Sequence, residues 1–190
     1  AASPLKLAVA TETPASNAIV LKQVAELPGV ESAEGYVLTA TKKGVEVQAK
    51  SGAGLFYGVQ TLLQMATDGN QIALGTITDK PRFEYRGMML DVSRHFFGLD
   101  FVKKQIDAMA YYKLNRLHIH LTDAAGWRIE IKKYPRLTNV AAWRSGKTWK
   151  EWWNGDRKYM EEGSEGAEGG YFTQDQCREI VEYAKKHYIT

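Results

Sequence analysis

Residues 87–121 hold two apolar runs, GMMLDV at 87–92 and RLHIHL at 116–121, separated by a stretch with helical periodicity. The first run is apolar almost without alternation, as expected of a parallel strand covered on both faces. Asp100 opens the helix between them, and Val102, Ile106, Met109 and Ala110 recur at the spacing of one helical face. Parallel strands cannot be joined by a tight turn, so strand, helix and strand in this order leave few topologies. A second unit follows the same grammar. The strand at 116–121 leads through a long Gly- and Trp-rich segment to a helix opened by Thr173 and Gln176, a T-x-x-Q capping box. Its expected buried face is Cys177, Ile180, Val181 and Ala184. Two successive βα units predict an α/β fold, either a doubly wound sheet or a (β/α)8 barrel. A barrel takes about 250 residues, so residues 81–190 would complete roughly a quarter of one.

The chain ahead of Pro81 reads differently, as an α+β module. Strands are expected at 5–10 and 36–41, with a hairpin turning at Lys43 and Gly44 so that Val45 and Val47 alternate with Glu46 and Gln48. Ser51 can cap a helix over SGAGLFYGVQTLLQMA, and Leu55, Val59, Leu62 and Leu63 fall on one of its faces. A further strand at 71–77 ends in a polar turn, Thr78 to Pro81. This turn is taken as the boundary between a domain at 1–80 and a domain at 81–190.

Composition excludes several classes of function. The 190 residues carry a net charge of only +3, without Lys/Arg runs, which argues against a nucleic-acid partner. No apolar run approaches the ~20 residues of a membrane span. The opening AASPLKLAVA lacks the charged and apolar regions of a signal peptide. The single cysteine, Cys177, permits no disulfide framework and reads as a small buried residue.

Chemistry-bearing residues gather at the ends of the two apolar runs. In LHIHLTDAAGWR, residues 117–128, strand alternation puts His118 and His120 on one face and Asp123 on the other, unless a bulge intervenes. The two histidines read either as packed, hydrogen-bonded side chains or as a metal pair, for which no third ligand follows at suitable spacing. Trp127 and Arg128 read as structural. In VSRHFFG, Arg94 and His95 lie where a barrel's active face would be, and two roles stay open for Arg94: pairing with a nearby carboxylate such as Asp91, or binding ligand hydroxyls. All five tryptophans, Trp127, Trp143, Trp149, Trp152 and Trp153, fall within 27 residues. Indoles stack on the C–H faces of sugars, so a carbohydrate platform is a fair inference beside simple anchoring of a long loop. Glu161, Glu162, Glu165 and Glu168 read as a solvated face.

The stretch RGMMLDVSRHFFGLDFVKKQIDAMAYYKLNRLHIHLTDAAGWRIEI, residues 86–131, resembles the first two βα units of the family 20 glycoside hydrolases, the β-N-acetylhexosaminidases. SGAGLFYGVQTLLQM is similar to the signature helix of their amino-terminal α+β domain, and GGYFTQDQCREIVEYA to the approach to their second barrel helix. The resemblance implies a (β/α)8 barrel, incomplete in this chain. It implies removal of terminal N-acetylglucosamine or N-acetylgalactosamine from glycans with retention, the substrate's own acetamido oxygen serving as nucleophile. No metal or cofactor is implied.

Carried over by position, Arg94 matches the arginine that binds sugar hydroxyls, and Asp123 the aspartate at the end of the second strand. Where many relatives have a second aspartate, this chain has Ala124. Trp143, Trp149, Trp152 and Trp153 are expected to shape a leaving-group subsite. The H-x-G-G-D-E motif that carries the family's catalytic Asp-Glu pair does not occur, so no catalytic residue is assigned within these 190 residues. The expectation is therefore an amino-terminal fragment, inactive alone, of an exported enzyme (periplasmic, cell-surface or secreted) whose signal segment is absent from this chain. An open barrel edge is expected to promote self-association. Two other readings are a noncatalytic glycan-binding module and a metal-dependent hydrolase using His118 and His120.

Overall fold

The computed structural model describes residues 16–66 and 71–190. The strand expected at 5–10 lies outside the described residues. The chain divides into two compact units between Glu84 and Tyr85.

The first unit is a four-stranded sheet backed by one helix. Its strands are β1 (Ala18–Gln23), β2 (Tyr36–Thr41), β3 (Gly44–Ala49) and β4 (Gly75–Asp79), in spatial order β1-β3-β2-β4. The hairpin β2–β3 forms as its alternation predicts, and Leu38, Val47 and Ala49 are fully buried. Strand β1, parallel to β3, had no expectation attached to it. Strand β4 begins later than expected and takes in Thr78 and Asp79, which read as turn in the sequence. Asp79 is drawn into the ladder because it pairs with Tyr36, whose hydroxyl donates to Asp79 Oδ2 at 2.7 Å and meets Thr61 Oγ1 at 2.5 Å. Burial, above all, raises the Tyr36 phenol well above its ordinary pKa.

Helix α1 (Gly52–Met65) is capped by Ser51, whose side chain accepts from Gly54 N–H at 3.2 Å. Its buried face is Gly54, Tyr57, Gly58 and Leu62, rotated from the expected Leu55, Val59, Leu62 and Leu63. The glycines cause the rotation. A Cβ at Gly54 would lie 2.7 Å from Ala49 Cβ and closer still to Gly35 O, and one at Gly58 would overlap Val47. The helix thus lies on the sheet by its backbone, an approach that hydrophobicity alone does not signal. Gly54→Ala should lower the stability of this unit by about 2 kcal/mol, although alanine is the better helix former by about 1 kcal/mol, because the clash is with backbone that cannot turn away. Urea denaturation of the variant checks this; a neutral or stabilising result would contradict the packing.

The second unit is built on two parallel strands, β5 (Gly87–Asp91) and β6 (Arg116–His120), joined through α2 (Leu99–Tyr111). Helix α2 buries Val102, Ile106, Met109 and Ala110, the face read from sequence. Helix α5 (Gln174–Lys186) starts with the expected capping box between Thr173 and Gln176. It buries Ile180 and Ala184, leaves Cys177 only partly buried and exposes Val181, so its contact stripe is narrower than expected. Desolvation still pushes the Cys177 thiol upward. Helices α2 and α5 are tied by Lys103 to Glu179 at 2.5 Å and by Tyr183 to Asp107 at 2.7 Å. Beyond α5 the chain returns beside β6, where Leu117 N–H donates to Thr190 O at 2.9 Å.

Strand β5 is not covered on both faces as its composition predicts. Met88 and Leu90 are half-buried, but Met89 is 56% exposed. Register pairs Met89 with His118 and Asp91 with His120, so these side chains share one face, exposed at Met89 and His118 and half-buried at Asp91 and His120. The long segment between β6 and α5 is also not a plain loop. It forms β7 (Thr122–Asp123) against β8 (Gly126–Trp127), α3 (Arg136–Asn139), β9 (Trp143–Ser145) against β10 (Ala167–Gly169), and α4 (Trp149–Asn154). Thr148 and Glu151 make a second capping box at α4.

Candidate functional site

The face that carries Met89 and His118 ends, at the carboxyl ends of β5 and β6, in a cluster of charged groups. Asp91, the last residue of β5, accepts from the backbone N–H groups of Ser93 and Arg94 at 2.9 and 3.1 Å, folding the chain into a tight Asx turn. The turn throws the Arg94 side chain back over the strand end. Its Nη1 reaches Asp91 Oδ2 at 3.0 Å and its Nη2 reaches Asp123 Oδ2 at 2.9 Å. Neither role left open for Arg94 excludes the other: it pairs with Asp91 and, with its side chain 43% exposed, still faces solvent.

Asp123 does not lie opposite the histidines, as strand alternation implied. The ladder of β6 stops at His120, and the chain turns into the two-residue β7 hairpin, so the two-residue period does not carry across Leu121. His120 Nε2 therefore sits 3.0 Å from Asp123 Oδ2 and 3.0 Å from Arg94 Nη1. One ring nitrogen cannot serve both contacts as hydrogen bonds, since Arg94 only donates and the carboxylate only accepts. Arg94 Nη1 already has Asp91 as acceptor, and a charged carboxylate is the stronger claim on a donor, so Nε2–H donates to Asp123. His120 is thus a hydrogen-bonded member of the cluster. His118 lies exposed on the same face, outside this cluster. Among the described residues no group of three or more His, Cys, Asp or Glu is placed to hold a metal ion.

Asp123 is held below the usual carboxylate range, first by the Ala124 N–H at 2.7 Å, then by His120, with Arg94 adding a Coulombic share. The group stays ionised through neutral pH, and the contacts made by its charged form weaken only as pH falls through that lowered value. His120→Ala should raise the Asp123 midpoint partway, because the Ala124 N–H remains. Carbon-13 NMR titration of the side-chain carboxyl reads this shift, and an unmoved or lowered midpoint would contradict the bond to His120.

Behind the cluster lies Arg128, 1% exposed. Its guanidinium donates to five carbonyls: Val92 at 3.0 Å, Ser93 at 2.9 Å, Gly170 at 3.1 Å, Ala125 at 3.4 Å, and Ala142. Ser93 precedes Arg94, and Ala125 lies two residues beyond Asp123, so one side chain ties both site-bearing loops to the insertion. Burial lowers the Arg128 pKa to about 10, which leaves the group charged at neutral pH. Gly169 and Gly170, at φ +154° and +151°, make room for this hub. A Cβ at Gly170 would lie 2.5 Å from the Phe96 ring, and one at Gly169 would overlap Ala142 O. A second tie is Tyr159, whose hydroxyl donates to Ala124 O. It fastens the insertion to the turn that carries Asp123, a role the sequence did not signal.

The tryptophans divide by environment. Trp152 is 4% exposed and donates its indole N–H to Lys158 O at 3.2 Å, so it anchors the insertion. Trp143 is half-buried, and its Nε1 is buried without an acceptor among the described residues. Trp149 and Trp153 stack at 5.2 Å and are 39% and 41% exposed, with the Arg157 guanidinium 4.0 Å from the Trp153 ring centroid. They are the pair that presents aromatic surface to solvent.

Comparison with known proteins agrees with this arrangement. Residues 83–190 match the family model "Glycosyl hydrolase family 20, catalytic domain", and residues 1–80 match "Glycosyl hydrolase family 20, domain 2". A beta-hexosaminidase of Porphyromonas gingivalis is 43% identical over 189 residues, covering 94% of this chain and 22% of the relative. The N,N'-diacetylchitobiase of Vibrio harveyi is 37% identical, covering 81% of this chain and 18% of that protein. Among solved structures, the exo beta-N-acetylglucosaminidase from Vibrio harveyi with bound N-acetylglucosamine aligns with a TM-score of 0.74 at 34% identity, covering 90% of this chain and 26% of that one. The Streptomyces coelicolor beta-N-acetylhexosaminidase gives 0.72 at 38% identity, covering 90% and 32%. The chain thus spans between about a fifth and a third of the length of these relatives. Its architecture is an amino-terminal domain followed by the opening βα units of a (β/α)8 barrel, which does not close within these residues, and the chain belongs to glycosyl hydrolase family 20.

Proposed function

We propose that the protein of which this chain is a part removes terminal N-acetylglucosamine or N-acetylgalactosamine from glycans by a retaining, substrate-assisted mechanism. The observation that carries this reading is the Arg94 fork, anchored by Asp91 and Asp123 yet open to solvent at the ends of two parallel strands. Its free N–H directions suit vicinal sugar hydroxyls, and its ion pairs fix it before the ligand arrives, which lowers the entropy lost on binding. Asp123, kept ionised by Ala124 and His120, supports the site with a fixed negative charge. The acid/base glutamate and the aspartate that orients the acetamido group are supplied by the rest of the barrel, outside these 190 residues. The division near residue 80 separates the amino-terminal α+β domain from this catalytic part.

The purified 190-residue chain should therefore hydrolyse an aryl N-acetyl-β-glucosaminide no faster than a heat-treated control, while the full-length protein turns it over. A rate above the control from the short chain would overturn the assignment of the acid elsewhere. Uncovered Met89 and its face should also lead the short chain to self-associate.

The exposed Trp149–Trp153 stack supports a leaving-group subsite in the same reading and favours, as the alternative, a glycan-binding module without turnover. Sugar affinity lost in Trp149→Ala but retained in Arg94→Ala favours the module.

A further inference from the structure

Beside the Arg94 cluster, the second unit holds a separate cleft of about 140 Å³ whose walls include His95, Phe96, Arg128, Arg144, Lys147 and Glu168. Its charge is unbalanced: two arginines and a lysine face one carboxylate. Arg128 spends its donors on neutral carbonyls, so its positive charge is solvated by dipoles and paired with no acidic side chain among its hydrogen-bond partners. Arg144 is 3% exposed, and its Nη1 is buried with no hydrogen-bond partner among the described residues. An unsatisfied guanidinium N–H in such a place is costly, and buried donors of this kind are normally matched by an acceptor. Glu151 of α4 and Glu168, which stands opposite Arg144 in the β9–β10 register, support its charge at a distance, yet neither occupies that donor. Lys147 is exposed and can swing over the opening.

We propose that this cleft is an oxyanion subsite that takes a carboxylate or sulfate group carried on a glycan. The volume admits such a group with little room for a sugar ring. Arg144 Nη1 supplies the buried donor, Lys147 Nζ a mobile second one, and Arg128 the field behind them. Phe96 forms an apolar wall. Because Arg94 immediately precedes His95, the subsite adjoins the loop that carries the sugar-binding fork. It would select acidic glycans over neutral ones. The glycan source of the anion rests on the proposed activity, whereas anion binding does not.

Calorimetric titration of the 190-residue chain tests this with glucuronate, sodium sulfate and neutral glucose, at an ionic strength held constant with chloride. Saturable binding of glucuronate and sulfate, with none of glucose, is the expected result. Arg144→Gln should weaken it roughly thirtyfold, as loss of a buried charge-assisted bond. Lys147→Gln should weaken it about threefold and Glu168→Gln tighten it about threefold, as exposed charges do. Both of these residues are exposed, so their variants keep the test decisive if Arg144→Gln does not fold. No saturable anion binding, or binding indifferent to Lys147 and Glu168, overturns the subsite. Binding of sulfate without glucuronate overturns the carboxylate half of the proposal and leaves a sulfate subsite. If the full-length protein binds these anions but hydrolyses no N-acetylhexosaminide, the proposed activity fails and the subsite stands.

Discussion

Arg128→Met should lower the stability of the second unit by about 4 kcal/mol, because five main-chain carbonyls lose their donor at once while methionine restores only part of the volume. For a unit of this size that corresponds to a fall in melting temperature on the order of 20 °C. Arg128→Lys should recover little: an ammonium is a point donor and cannot span carbonyls that approach from both sides of a planar fork. Thermal denaturation followed by circular dichroism checks both variants. The first unit should melt unchanged, since the five carbonyls that Arg128 holds all lie in the second unit. A fall of less than ~5 °C in the second unit would show that the carbonyls find other donors.

The next largest effect is expected at Arg94, in the full-length protein. Arg94→Met should reduce kcat/KM for an aryl N-acetylglucosaminide by about a hundredfold, chiefly through KM, as removal of a charged donor that binds ground and transition states alike. The substitution also leaves Asp91 and Asp123 without the cation between them. Asp123→Asn keeps the shape but turns an acceptor-only group into one that also donates. His120 Nε2–H would then face an amide oxygen or nitrogen without the charge that now orders it. A loss confined to kcat in Arg94→Met would argue that the arginine acts on the transition state instead. An unchanged kcat/KM would remove it from the substrate site.

Much of this was legible because local rules and the fold agree. The face of α2, the capping box of α5 and the β2–β3 hairpin depend on spacing and end chemistry within a few residues, and all three form as read. The errors fall where distant chain decides. Helix α1 turned its glycines inward because Gly35, Val47 and Ala49 come close to it, and none of these is near it in the helical pattern. Strand β5 has the composition of a strand buried on both sides, yet Met89 on one side has no cover among the described residues and stands 56% exposed. At the strand ends, Arg94 and Asp123 were singled out by their match to the family pattern, but the contact of His120 with Asp123 was not read, since alternation was extended three residues past the end of the ladder. Asp91 was named as a partner of Arg94, and its second role was legible too: an aspartate two and three residues before Ser93 and Arg94 has the spacing of an Asx turn. Nothing local distinguishes Trp152, packed inside the insertion, from Trp149 and Trp153 on its surface.

The hub at Arg128 also bears on how such a site can diversify. It grips the peptide chain and is blind to side chains: the atoms it holds at Val92, Ser93, Ala125, Ala142 and Gly170 are oxygens that every amino acid has. Apart from Gly126, Gly169 and Gly170, where a Cβ would strike the Arg128 guanidinium, Ala142 O or the Phe96 ring, and Asp91, whose carboxylate makes the Asx turn, these loops can therefore be rewritten letter by letter while their anchoring persists. Residues that meet the ligand and residues that hold the loops in place are thus separable, and a change of specificity need not begin with a loss of structure.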